Sequence, residues 1–163
     1  MTIPVFRLPI GVGCSSIDGK VRVSGACGVV AFNSVSKVYR KGNLAIFLPY
    51  LSPYYSSIFT QAALGVVLGY TVELKLKGVG YRVREEKGEL IFSLGYTRPV
   101  ILMIPKDISI SIEKKSFFLR SANFGLLQNF ATTIRNYRFP DSYKGAGVLY
   151  GGEVIVCKEG KKS

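Results

Sequence analysis

Lysine, arginine and tyrosine are the residue types whose spacing in this sequence suggests a specific chemistry. They are concentrated after residue 134, where Arg135 and Arg138 are followed by Tyr143 and Lys144. On a helix, two arginines three residues apart project to one side. Cationic side chains neutralise phosphates, and a tyrosine ring can stack on an unpaired base. The pattern predicts a surface for structured RNA, although Tyr143 could instead pack against the end of a helix.

A second cluster of cations begins at Lys75. In an extended strand Lys75 and Lys77 share one face while the intervening leucines point to the other, which predicts a basic outer face and an apolar inner face. Two glycines follow, and then Tyr81 and Arg82. A solvated sheet face with no ligand is the alternative interpretation. The glycines do not form a nucleotide-binding loop, because neither of the usual phosphate-binding motifs opens a helix at this point.

Catalytic, metal and cofactor sites are not supported by the residue types present. Histidine is absent, which removes the commonest general base and the commonest metal ligand. The cysteines are odd in number and widely spaced, so we expect reduced, buried thiols at Cys14, Cys27 and Cys157. An enzyme would have to use Asp141, with the neighbouring tyrosine and lysine, as acid or base. No paired carboxylate or nucleophile accompanies them, so we predict no catalytic residue, metal or cofactor.

The overall charge favours a polyanionic partner. The chain has 163 residues with 22 Lys and Arg against 10 Asp and Glu, a net charge of +12 and a pI near 9.8. Such a balance fits nucleic acid or an acidic membrane surface. Residues 42–72 are uncharged, but Pro49 and Pro53 interrupt them, so a buried strand and helix are favoured over a membrane span. A peripheral membrane protein remains the alternative. The first residues resemble neither a signal peptide nor a transit peptide.

The elements that must position these residues are short strands and two helices. Ser52 and Pro53 resemble a helix N-terminus, and apolar residues at helical spacing after residue 124 end at a proline. An Asp-Gly pair at residues 18–19 predicts a hairpin. The predicted helices span 53–68 and 124–137. The predicted strands span 28–32, 36–39, 44–48, 72–76, 81–85, 90–95, 101–104, 108–112 and 117–119. Of these strands, 72–76, 81–85 and 90–95 are expected to form one antiparallel meander.

The two halves of the sequence follow the same plan, strands and then a helix. We therefore predict an α+β protein of two tandem duplicated domains, 1–73 and 74–163, each an antiparallel sheet with a helix packed on one face. Sixteen of the 22 cations lie in the second half, which we expect to make the main RNA contact. The halves are aligned by superposing two short series: Pro9, Val12, Cys14, Val21, Val23 and Ala26 on Pro105, Ile108, Ile110, Phe117, Leu119 and Ala122.

Five segments of this sequence resemble a known family. They are residues 76–82 (LKGVGYR), 93–100 (SLGYTRPV), 134–138 (IRNYR), 140–148 (PDSYKGAGV) and 150–162 (YGGEVIVCKEGKK). These segments are similar to the signature of the large-subunit ribosomal protein L-six family. The resemblance is strong after Leu74 and looser before it, although it extends over nearly the whole chain. One departure stands out, since Ala146 occupies a position where the family usually has lysine.

The resemblance implies a function and a set of contact residues. It implies a non-catalytic structural constituent of the large ribosomal subunit that binds large-subunit rRNA near the sarcin-ricin loop and stalk base, beside neighbouring ribosomal proteins. The richness in Phe, Tyr, Ser and Ile suggests an organelle-encoded, mitochondrial member, with plastid or bacterial origin as alternatives. The expected RNA-binding residues are Lys75, Lys77, Tyr81, Arg82, Arg98, Arg135, Arg138, Tyr143, Lys144, Lys158, Lys161 and Lys162.

Overall fold

The computed structural model describes residues 5–17, 19–34, 36–48 and 52–160. The chain divides into two compact units. The first runs up to Tyr70 and also includes Ser121–Phe124, and the second comprises Thr71–Arg120 and the chain from Gly125 onward. The division into 1–73 and 74–163 that the sequence suggests stays a prediction. It does not assign the short segment Ser121–Phe124 to the first unit.

Two three-stranded antiparallel sheets and one helix make up the described part of the first unit. One sheet has the order β2-β3-β4 and the other the order β1-β6-β5. The elements are β1 (Val5–Arg7), β2 (Gly13–Ile17), β3 (Lys20–Gly25), β4 (Gly28–Asn33), β5 (Lys37–Lys41), β6 (Leu44–Leu48) and α1 (Pro53–Leu68). The predicted hairpin is confirmed by the β2–β3 pairing; Asp18 of its turn lies outside the described residues.

Helix α1 has the bounds expected from its sequence. Pro53 occupies the first turn, where a missing N–H costs nothing, and the helix ends at Gly69 with φ of 71°. Its inner face packs on an aromatic cluster in which Phe59 lies edge-on to Phe47, with ring centroids 4.8 Å apart. Phe6 of β1 contacts both rings at 5.5 and 5.4 Å. The core of this unit joins α1 to both sheets, because Val21, Val23 and Val30 of β3 and β4 belong to the same buried cluster.

The second unit contains a four-stranded and a three-stranded sheet. Their orders are β11-β12-β7-β13 and β10-β9-β8. Helix α2 has a buried side that carries Leu127, Phe130, Ala131 and Ile134, and its Thr132 hydroxyl lies 3.3 Å from the hydroxyl of Tyr150 in the four-stranded sheet. The elements are β7 (Tyr70–Lys77), β8 (Arg82–Glu86), β9 (Glu89–Ser93), β10 (Val100–Met103), β11 (Ser109–Glu113), β12 (Ser116–Ser121), α2 (Phe124–Tyr137) and β13 (Gly147–Tyr150).

The same succession of elements occurs in both units. In the first, β1 pairs with the second strand of a later hairpin (β5–β6); in the second, β7 does the same with β11–β12. A three-stranded meander lies between in each case, and a helix follows. The predicted α+β fold of two duplicated domains is confirmed. The residue alignment of the halves was wrong, because it superposed β2 and β3 on β11 and β12, whereas their topological counterparts are β8 and β9.

Two strand assignments also need correction. The segment 72–76 was expected to open a meander with 81–85 and 90–95, but β7 leaves that sheet and pairs with β12 and β13. The meander consists of β8, β9 and β10. Strand β13 was not predicted, because its glycine-rich approach resembles a loop. Its register sets Leu149 opposite Lys75 and Val148 opposite Leu76.

Candidate nucleic-acid interface

Strand β7 presents the first group of cations. Leu74 and Leu76 are buried, while Lys75 and Lys77 are exposed on the opposite face. The alternation follows from the pleat of the strand, which places successive side chains on opposite faces. The predicted basic outer face is confirmed. Lys75 forms an ion pair with Glu73 at 3.1 Å. Of the two lysines, Lys77 is therefore the one whose charge is less neutralised.

A tight turn at residues 141–146 presents Tyr143 and Lys144. Each carboxylate oxygen of Asp141 accepts a backbone N–H, one from Tyr143 and one from Lys144, both at 3.2 Å. The Gly145 N–H donates to the Asp141 carbonyl at 2.8 Å, and the Asp141 N–H donates to the Ala146 carbonyl at 3.0 Å. Tyr143 is 61% exposed and Lys144 is exposed. Packing against the helix end is therefore disfavoured for Tyr143.

A third group of side chains surrounds Arg138. Its guanidinium lies 5.0 Å from the centroid of the Tyr96 ring, and the Tyr96 hydroxyl donates to the Tyr137 carbonyl at 2.8 Å. Tyr96, and after it Tyr81, raises the pKa of Arg138 above its ordinary value, so this residue stays cationic. Tyr81 lies over Gly78, where a Cβ atom would approach the ring to 2.8 Å. Arg138 is thus held by two tyrosines at the protein surface.

Arg135 is engaged by groups of the protein itself. Its guanidinium donates to the Glu153 carboxylate, with both side chains about a quarter exposed. Its guanidinium carbon lies 5.0 Å from the Tyr150 ring centroid and 5.7 Å from that of Phe139. These contacts attach the chain after β13 to the end of α2. The RNA-binding role of Arg135 stays a prediction, and its placement favours a structural role.

The chain after β13 turns back along the second unit. Glu153 also accepts the Tyr150 N–H at 3.0 Å, and the Lys158 N–H donates to the Ser142 carbonyl at 2.8 Å. We call residues 153–158 the C-terminal strap. Leu149 is 6% exposed although it shares the face of Lys75. The strap was not predicted from the sequence, because the contacts that hold it join segments distant in the chain.

The remaining predicted residues divide into two groups. Arg82, Arg98 and Lys158 are exposed on the second unit, as a contact surface requires. Lys161 and Lys162 lie outside the described residues. Two residues near the predicted ones had been overlooked. Tyr96 could have been found from its place inside the family-like segment 93–100, whereas nothing in the sequence pairs Glu153 with Arg135.

The described residues contain no group of three or more His, Cys, Asp or Glu that could hold a metal ion. The cysteines are free thiols. The expectation that they are buried was wrong for Cys27, which lies in the turn between β3 and β4, and for Cys157, which lies in the strap; both are exposed. Cys14 is partly buried, and burial raises the pKa of its thiol.

In the part of the chain that the structure covers, neither helix has the length and hydropathy to cross a membrane.

Comparison with known proteins identifies the family to which this chain is similar. The family model of ribosomal protein L6 matches residues 77–151. Large ribosomal subunit protein uL6c of Phaeodactylum tricornutum is 32% identical over 97% of this chain and 95% of that protein. This chain belongs to the ribosomal protein L6 family. The resemblance found in the sequence is confirmed.

Other members of the family show how the similarity is distributed. Large ribosomal subunit protein uL6 of Limosilactobacillus reuteri is 35% identical over 94% of this chain and 93% of its own length. The protein of the same name from Mycoplasma pneumoniae is 42% identical, over 66% of this chain. That alignment spans 59% of the Mycoplasma protein, which is less than two thirds of its length.

Proposed function

We propose that this protein is a non-catalytic structural constituent of the large ribosomal subunit and binds large-subunit rRNA. Relatives aligned over nearly their full length carry the name large ribosomal subunit protein. The proposal rests on the exposed basic and aromatic surface of the second unit. This surface consists of the outer face of β7, the 141–146 turn and the surroundings of Arg138.

The proposed contacts follow from the chemistry of each group. Lys77 and Lys144 are exposed ammonium groups suited to backbone phosphates. The Arg138 guanidinium can fork onto a phosphate while its flat side rests on Tyr96. Tyr143 stands outward on its turn and can stack on a base that is not paired. Arg82, Arg98 and Lys158, together with Tyr81, extend this surface.

Salt dependence tests the surface residue by residue. Binding of full-length protein to large-subunit rRNA is measured across several salt concentrations for Arg138→Ala, Lys144→Ala and Lys106→Ala. Removing one phosphate contact lowers the slope of log affinity against log salt by about 0.7 to 0.9. We expect that loss for the first two variants. Lys106 is an exposed lysine of the same unit outside the proposed surface and serves as the matched control.

Equal slopes and affinities for all three variants would remove this surface from the proposal. Tyr143 is tested separately, because stacking and hydrogen bonding respond to different substitutions. Tyr143→Phe keeps most of the binding if the ring stacks on a base, whereas Tyr143→Ala loses it. A loss with phenylalanine equal to that with alanine would show that the hydroxyl makes the contact.

The position within the subunit is a finer part of the proposal. From the family resemblance we place the protein near the sarcin-ricin loop and the stalk base, next to other large-subunit proteins. Hydroxyl-radical footprinting of rRNA with and without the protein tests this. Protections confined to rRNA distant from the sarcin-ricin loop would contradict the placement. Failure of the native protein to cosediment with large subunits would contradict the ribosomal role itself.

A mitochondrial location is also proposed, from the composition of the chain. The relatives include bacterial and plastid proteins, so they support a place in a bacterial-type ribosome without indicating which compartment contains it. Mass spectrometry of large subunits purified from separated mitochondria and plastids distinguishes the organelles. Recovery of this chain only from plastid subunits would overturn the mitochondrial assignment and leave the ribosomal one intact.

A further inference from the structure

An open groove of about 420 Å³ lies on the outer face of the four-stranded sheet. Its three lysines come from two places, Lys75 and Lys77 from β7 and Lys115 from the turn before β12. The opposite wall is the beginning of the C-terminal strap, residues 153–155. Lys115 was not among the residues expected to contact RNA, and no motif of the sequence points to it.

The charges around the groove leave it cationic. The only carboxylate among its lining residues is that of Glu153, and this group is engaged by Arg135 on one oxygen and by the Tyr150 N–H on the other. Lys75 is partly neutralised by its ion pair with a neighbouring glutamate. In the described part of the chain, Lys77 and Lys115 form no ion pair. Two unneutralised ammonium groups therefore line the groove.

The strap wall is held in place by contacts at both of its ends. Arg135 binds its first residue, and the Lys158 N–H donates to the Ser142 carbonyl near its end. Leu149, which is buried, lines the same groove as residues 153–155 of the strap. A groove with a fixed wall needs no reorganisation when a ligand enters, which reduces the cost of binding.

We propose that this groove binds the phosphate backbone of the rRNA through Lys77 and Lys115, and that Arg135 is a positioning residue that holds the strap wall. The inference rests on the proposed function and extends it to a site formed by β7, the Lys115 turn and the strap. RNA is favoured over an acidic protein because the groove is continuous with the proposed RNA surface. The Lys77 ammonium lies beside Gly145, since a Cβ atom on that glycine would be 3.2 Å from it. Gly145 directly follows Lys144 of the proposed RNA surface, so the groove and that surface adjoin.

The test uses the full chain and an in vitro transcript of the large-subunit rRNA. Lys77→Gln and Lys115→Gln each remove one proposed phosphate contact, and Lys106→Gln is the matched control. We expect the salt slope to fall by about 0.7 to 0.9 for each of the first two and to stay unchanged for the control. Acetylation footprinting adds a direct readout, in which RNA protects Lys115 from reagent and leaves Lys106 reactive.

Glu153→Gln separates positioning from simple electrostatics, because the two predict opposite signs. The substitution removes a negative charge from the groove wall, so electrostatics alone would strengthen RNA binding. If the carboxylate matters because it ties the strap to Arg135, binding weakens. We expect weakening, together with faster amide exchange in residues 153–158.

The results of these experiments test the groove, the strap and the proposed function separately. A Lys115→Gln slope equal to that of wild type, with Arg138→Ala still reduced, would overturn the groove and leave the proposed function standing. Stronger RNA binding by Glu153→Gln would overturn the positioning role of the strap. Protection of Lys115 in assembled subunits but not on rRNA alone would mean that a protein occupies the groove, and would overturn the RNA assignment. A wild-type chain that does not bind rRNA would refute both the function and the groove.

Discussion

Replacing Arg135 by methionine should destabilise the second unit selectively. Methionine keeps the length and most of the apolar contact of the side chain but removes its charge. The Glu153 carboxylate, only about a quarter exposed, then keeps a single protein partner, the Tyr150 N–H. The two aromatic rings that flank the guanidinium lose their cation.

The magnitude follows from these contacts. A hydrogen bond to a charged group contributes about 1.5 to 3 kcal/mol. Each contact of the guanidinium with Tyr150 or Phe139 adds about 0.5 to 1 kcal/mol at a partly exposed site. These contributions overlap, because one group makes all of them, so we expect Arg135→Met to cost about 2 to 3 kcal/mol. For a chain of this size that is a fall in Tm of roughly 5 to 10 °C.

Calorimetry gives the shift in Tm, and amide exchange shows where the stability is lost. Faster exchange should appear in α2, β13 and the strap and not in β2, β3 or β4 of the first unit. Arg84→Met, an exposed arginine of β8 without an ion pair in the described residues, is the matched control and should change Tm little. The double variant with Glu153→Gln should cost less than the two single changes added together. A shift no larger than that of the control would refute the role assigned to the pair.

Three further predictions concern local packing and a thiol. Gly65→Ala should destabilise the first unit although alanine normally favours a helix by about 1 kcal/mol, because its Cβ would overlap a backbone oxygen; urea unfolding gives the sign. Gly78→Ala should weaken rRNA binding more than Gly80→Ala in a titration: both have positive φ, but only the first collides with a tyrosine ring. Iodoacetamide should alkylate Cys14 more slowly than exposed Cys27 by mass spectrometry, since burial raises the pKa of the Cys14 thiol. That raised pKa favours the fold below the ordinary thiol pKa, and the contribution should be lost as pH rises through the folded-state pKa. Equal alkylation rates would contradict the burial of Cys14.

The helices were predictable because their determinants are local. Pro53 and Gly69 mark the two ends of α1, and the apolar spacing of α2 stops before Pro140. The pairing of strands was harder to predict, because the alternation in β7 indicates which face is buried but not which strand lies beside it. The pairing of β7 with β12 and β13 depends on residues far along the chain.

The candidate site was predictable to the same extent. The exposure of Lys77 follows from the alternation along β7, which is visible in the sequence. Tyr143 and Lys144 were expected on an extended segment, whereas hydrogen bonds to Asp141 fold residues 141–146 into a turn. The position of Arg135 was not predictable, because its spacing from Arg138 suggested a shared outer surface. The strap returns across the end of α2 and takes Arg135 into an internal ion pair. Only a contact between distant segments could reveal that.

The membership of Ser121–Phe124 in the first unit bears on the order in which the chain can fold during synthesis. The backbone oxygen of Ala122 lies against Gly65, and Tyr70 contacts Phe124 with ring centroids 5.1 Å apart. The first unit therefore cannot complete its packing until the strands of the second unit up to β12 have been made. Contacts of such sequence separation slow folding and keep apolar surface open for longer. A nascent chain that has just released α1 would expose part of that helix until some fifty more residues had emerged.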